Sequence, residues 1–208
     1  RDTDRSRGLG DVYKRQLVAG SIRPADIQID TLGINVSENT KHKAVLLYDT
    51  EQSEVQLFKN VTNLIKRAKQ TDKPDEFKAF CLTGMSRKER LHAIVQSMDR
   101  YYFQYGGIQL VVIDGIADLV RCANDEAESV AIIDELYRLA GIYKTCIICV
   151  LHFVPNGLKL RGHLGSELQR KAATILSIEK DEEPTQSVVK ALKVRDGSPL
   201  DVPLMLFA

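Results

Sequence analysis

Three apolar runs in this sequence end in side chains able to do chemistry. "LVVIDG" closes on Asp114 and Gly115, "KAVLLYDTEQS" on Asp49, Thr50 and Glu51, and "CIICVLH" on His152. A carboxylate placed directly after an apolar run is costly to bury unless a cation or hydrogen-bond donors pair with it. Asp114 could therefore hold a magnesium ion against nucleotide phosphates. It could equally cap the next turn, helped by Gly115. Glu51 suits the orientation and polarisation of an attacking water, the work of a general base. The bland alternative is a solvated acid at a strand-to-helix turn, with Asp49 as a second. His152 could sense a terminal phosphate, or simply be a hydrogen-bonded histidine closing a strand.

Basic candidates lie further on. Lys193 and Arg195 flank a turn in "KVRDG". Such residues are either solvated charges or a finger that stabilises transition-state charge in a neighbouring subunit's site. The stretch "PNGLKLRGHLGSELQRK" carries Lys159, Arg161, His163, Arg170 and Lys171. A basic, Gly-rich loop suits contact with the phosphate backbone of single-stranded DNA; a solvated surface loop explains the same composition. His163 has no Cys or Asp nearby to complete a zinc set. Cys146 and Cys149 form a C-x-x-C inside an apolar run, which reads as a buried strand rather than a redox or zinc motif.

Strands and helices must position these groups. "KAVLLYD", "FKAFCL", "LVVID" and "CIICVLH" are strand candidates. Helices are predicted between them. "SEVQ" at 53–56 and "SRKE" at 86–89 are capping boxes, and Asn124 or Asp125 can cap a third helix. On the first, Val55, Phe58, Val61, Leu64, Ile65 and Ala68 share one face. Leu91, Ile94, Val95, Met98 and Tyr102 do so on the second, and Ile132, Ile133, Leu136 and Ala140 on the third. A short helix around Leu168 and a strand "TILSIE" follow. Alternating strands and helices predict an α/β fold, a mostly parallel sheet with helices on both faces. The strands are continuous apolar runs, as expected when both faces are covered. The alternation stops near the C-terminus, where "SVVKALKV", "RDGSP" and "LDVPLMLF" predict a β-hairpin around Asp196-Gly197. In open α/β sheets ligands bind beyond the carboxyl ends of the strands, so the topology would gather Glu51, Asp114 and His152.

Bulk properties narrow the classes. The chain has 208 residues and a formal net charge of +1, which excludes a surface basic throughout. No apolar run approaches the ~20 residues needed to span a membrane. The four cysteines fit reduced thiols and a cytoplasmic location better than a disulfide framework. Residues 1–16, "RDTDRSRGLGDVYKRQ", carry eight charges and no apolar period. They are expected to be a non-native or disordered tail, similar to adapter-derived read-through, ahead of a partial ATPase domain over 17–208. The chain is expected to be cut at about Leu17, and again after "PLMLFA".

The order "LLYDTEQS", "LVVIDGIADL", "CVLHFVPNG", "RGHLGSELQRKA", "LKVRDGSP" resembles the ATPase core of the RecA-like P-loop superfamily. Within it, the likeness is to hexameric replicative helicases of the RepA and DnaB type, and to RepA-like ATPases of plasmids and mobile elements. It covers about Ile27 to Leu206. The resemblance implies ATP and Mg2+ as cofactors, single-stranded DNA as partner and a homo-oligomeric ring. It implies Glu51 as catalytic glutamate, Asp114 as Walker-B aspartate and His152 as nucleotide-state sensor. Phe153 to Gly165 would face DNA, with Lys159, Arg161 and His163 as contacts. Lys193 and Arg195 would be the basic pair acting in trans. One departure matters: G-x-x-x-x-G-K-[ST] is absent, and no glycine is followed by lysine. Backbone N–H groups and the lysine of that loop supply much of the phosphate binding. The chain as written is expected to bind ATP poorly. Two alternatives stand beside the helicase-like reading: a recombinase-like or regulatory ATPase without unwinding, and a degenerate module that binds DNA or partners without hydrolysis.

Overall fold

The computed structural model describes residues 3–152, 162–180, 187–198 and 205–207. Its centre is a parallel sheet of β1 (Ala44–Asp49), β2 (Phe77–Cys81), β3 (Ile108–Asp114) and β4 (Cys146–Val150), in the order β2-β1-β3-β4. β1 and β3 are buried on both faces, so their side chains alternate between two cores. Leu46, Tyr48, Val111 and Ile113 join one cluster; Val45, Leu47, Leu110 and Val112 join the other. This two-sided burial is why these strands read as unbroken apolar runs.

The helices cover the sheet as expected for the class. α1 (Thr3–Ile22) and α2 (Glu54–Arg67) pack on one face; α3 (Arg87–Tyr105) and α4 (Glu126–Tyr143) pack on the other. The predicted N-caps are present, although the box expected at 53–56 is only half formed, because the Gln56 side chain bonds Asn60 instead. Ser53 accepts from the Gln56 backbone, Ser86 forms a full capping box with Glu89, and Asp125 accepts from the Glu128 backbone. The inward face of α3 is as expected, with Ile94 and Met98 fully buried. On α4, Leu139 is buried beside Ile132, Ile133 and Leu136.

Three expectations are corrected. The expected inward face of α2 holds at Leu64 and Ala68 but fails at its start, where Leu57 and Asn60 turn inward and Val55 and Phe58 stand 68% and 72% exposed. A polar residue on the buried stripe disguised it, and Asn60 is satisfied there by Gln52 and Gln56. The segment expected to be a tail is helical from Thr3, and one helix crosses the boundary drawn after Gln16. Tyr13 falls one helical turn before Leu17, completing an apolar stripe with Val18 and Ile22 that neither side of the boundary shows alone. Cys146, expected in a buried strand, is exposed, as is Cys122, and all four cysteines are free. Burial does push the Cys149 thiol up to about 12.

α5 (Gly162–Lys171) is the short helix expected around Leu168. β5 (Thr174–Lys180), β6 (Ser187–Val194) and β7 (Met205–Phe207) follow. β5 does not extend the parallel sheet. It pairs antiparallel with β6, and β6 pairs antiparallel with β7, giving a separate three-stranded sheet. Val189, Leu176 and Ile178 of this sheet pack with Tyr13 and Leu17 of α1. Among the described residues, no helix is long and apolar enough to cross a membrane.

Candidate functional site

Strand register builds the site. Asp49 of β1 stands beside Asp114 of β3, and Asp114 beside Val150 of β4. Parallel strands ending together place Glu51, Asp114 and His152 on one rim. The rim is stitched by backbone: the Thr50 N–H donates to the Asp114 carbonyl at 3.1 Å, and the Leu82 N–H to the Asp49 carbonyl at 2.8 Å. Asp49 is a turn cap, its Oδ1 accepting from the N–H groups of Glu51 at 2.9 Å and Gln52 at 2.8 Å. Those bonds fix the exit of β1 and aim Glu51 away from the strand.

Glu51 and His152 meet across the rim, with Nε2 of His152 3.4 Å from Oε2 of Glu51. Both are partly exposed. Asp114 is different: only 3% of it is accessible, and its Oδ2 accepts a charge-assisted hydrogen bond from the ammonium of Lys14. Both side chains of that pair are over nine-tenths buried. Lys14 lies in the part of α1 that was expected to be a tail, so residue patterning did not point to it.

No family model matches the chain, and no curated protein matches it. The site therefore rests on its own geometry. Among the described residues, no group of three or more His, Cys, Asp and Glu is placed to hold a metal ion. Magnesium, however, is commonly bound through one or two carboxylates, with water and substrate phosphates completing the octahedron. Asp114 fits such an ion arriving with a nucleotide, provided the Lys14 ammonium moves aside. It does not fit a resident all-protein site.

Behind the rim lies a network that the residue pattern did not reveal. Thr50 is buried, and its Oγ1 sits 3.0 Å from each of the Asp114 carbonyl, the Gly115 carbonyl and Asp118 Oδ2. Gly115 has φ +88°, and a Cβ there would collide with Thr50 Oγ1 and lie 2.8 Å from Glu51 Cγ. Glycine is therefore required twice, by conformation and by space. Asp118 lies in a single turn of 3-10 helix, Ile116–Leu119. Arg90 of α3 holds that turn: its guanidinium donates to the carbonyls of Asp118 at 3.1 Å, Leu82 at 3.0 Å and Thr83 at 3.3 Å. The only sequence signal was a Gly after Asp114, which is compatible with an ordinary turn.

The basic candidates are engaged elsewhere. Lys193 Nζ donates to the carbonyls of Gln169 at 2.6 Å and Arg170 at 3.3 Å; Arg195 donates to the Lys171 carbonyl at 3.0 Å. Together they cap the C-terminus of α5, where cations complement the helix dipole. His163 stands in the first turn of α5 rather than in a loop. Arg170 pairs with Glu167, and Lys171 with Asp134. Lys159 and Arg161 lie outside the described residues.

Proposed function

We propose that the chain is the core of a RecA-like ATPase that couples ATP hydrolysis to binding of, or movement along, single-stranded DNA. The observation that carries this reading is the in-register rim. A buried aspartate and a partly exposed glutamate–histidine pair project from three adjacent parallel strands at their carboxyl ends. Glu51 takes the role of orienting the attacking water and accepting its proton. His152, bonded to Glu51, links that carboxylate to the end of β4. Asp114 would hold magnesium, which when bound neutralises phosphate charge. Lys193 and Arg195 would act in trans within a homo-oligomeric ring.

The test is DNA-stimulated ATP hydrolysis, measured on this chain and on a longer frame carrying a G-x-x-x-x-G-K-[ST] loop ahead of α1. Glu51→Gln should lower turnover by about 10²-fold or more. Unchanged turnover in that variant, or in Arg195→Ala, would sink the role assignments.

A specific observation favours a second reading. With the Lys14 ammonium on Asp114 and no phosphate loop in the sequence, this chain could serve as a non-hydrolysing module that binds DNA or a partner. DNA binding without turnover in the longer frame selects it.

A further inference from the structure

The rim raises a question of mechanics. Glu51 has no regular element beneath it; it sits between the end of β1 and the start of α2. Asp49 fixes its backbone.

We propose that Thr50 and Asp118 are positioning residues that set where the Glu51 carboxylate stands, with Arg90 holding Asp118 in place. This deepens the ATPase reading, and its value for catalysis rests on that reading. Three observations converge. Thr50 is the neighbour of Glu51, is buried, and has a single hydroxyl proton for three acceptors at 3.0 Å. Of these, Asp118 is the one that bears charge, and a charged acceptor makes the stronger hydrogen bond. Thr50 Oγ1 and Glu51 Cγ both lie over the Cα of Gly115, where an added Cβ would collide with the two of them, so the side chains share one backbone support. Arg90 ties the Asp118 carbonyl to the end of β2 through three carbonyl contacts, and its Nη1 lies 3.8 Å from Asp118 Oδ2. The path therefore runs from α3 through the 3-10 turn to Thr50, and from Thr50 to the acid on the rim. None of these residues needs to touch substrate.

The His152 ring is the reporter, because its Nε2 lies within reach of Glu51. The experiment records long-range proton–nitrogen spectra of the histidine rings at one fixed pH, with His152→Gln assigning the signal. Glu51→Ala defines the loss of contact. Thr50→Val removes the hydroxyl at nearly constant volume and should reproduce most of the Glu51→Ala change at Nε2. Thr50→Ser keeps a hydroxyl and should restore the wild-type signal, which a purely structural filler would not do. Asp118→Ala should give an intermediate shift, and Asp118→Asn, which retains an acceptor oxygen, a smaller one. In a hydrolysing frame, Thr50→Val should lower kcat by at least tenfold, with KM for ATP held within about twofold.

The inference is overturned if Thr50→Val leaves the His152 signal unmoved while Glu51→Ala shifts it. It is also overturned if Glu51→Ala itself shifts nothing. The ATPase reading fails separately: no turnover in the longer frame, with the ring signals responding as expected, removes the catalytic role and leaves the positioning network standing.

Discussion

The carboxylate rim and the C-terminal sheet hold their functional groups in opposite ways. At the rim, Asp49, Thr50 and Asp114 are fixed by backbone hydrogen bonds between strands in register, while Glu51 and His152 stay partly exposed. In the C-terminal sheet, the strands leave Lys193 and Arg195 reaching for the end of α5, where carbonyl oxygens occupy both cations. The acidic half of the site is built and presented; the basic half is committed to holding a helix. The geometry of the rim thus depends on strand register and the turns just beyond it, whereas that of the basic pair depends on where α5 ends.

That contrast can be broken most severely at the buried pair. Asp114→Ala takes the carboxylate from the Lys14 ammonium inside the protein, and should cost about 3–5 kcal/mol in urea unfolding. Replacing both, Lys14→Met with Asp114→Leu, should recover most of that loss, because an apolar pair needs no compensation. Next in size is Gly115→Ala, expected to cost about 2–3 kcal/mol, from positive φ and from the collision with Thr50. On the basic side the effect should be smaller. Lys193→Met should cost about 1 kcal/mol in a thermal melt of the chain without nucleotide or DNA, the usual scale for a helix-end cation. No loss there would mean the cap does not form in solution.

The smallest effect concerns acid. Hydrogen bonds from the Glu128 backbone and from Arg121 lower the Asp125 carboxyl below its usual range, and bonds to Ser86 do the same for Glu89. A carboxyl lowered by folding adds stability that is complete above its unfolded value. That stability is lost as pH falls through the lower folded value. Melting temperature should therefore decline slightly more steeply below about pH 4 in the wild type than in Asp125→Asn. Equal slopes would mean that the Asp125 cap adds no pH-dependent stability.

Local chemistry was readable in the sequence, and partnership was not. Ser53, Ser86 and Asp125 cap helices because their donors lie three residues away, a distance that sequence encodes directly. The strands of the central sheet were legible for the same reason. β5 was legible as a strand, but an apolar run does not say which sheet it joins. At the start of α2 the apolar pattern offers Val55 and Phe58 as well as Leu57, and Leu57 is the one that joins the core formed with α1 and the sheet. The partners of Thr50, and the parts of Arg90 and Lys14, were not legible because each contact spans the fold: Asp118 is 68 residues from Thr50, Arg90 is 28 from Asp118, and Lys14 is 100 from Asp114.

The end of α5 carries a final consequence. Lys193 and Arg195 cannot cap that helix and reach a neighbouring subunit at the same time. Any assembly that recruits them must uncover the carbonyls of Gln169, Arg170 and Lys171. Ring formation would then register as fraying in the last turn of α5, an element other than those that carry the rim. Amide exchange at the C-terminal end of α5 and just beyond it would serve as a clock for assembly, independent of any nucleotide.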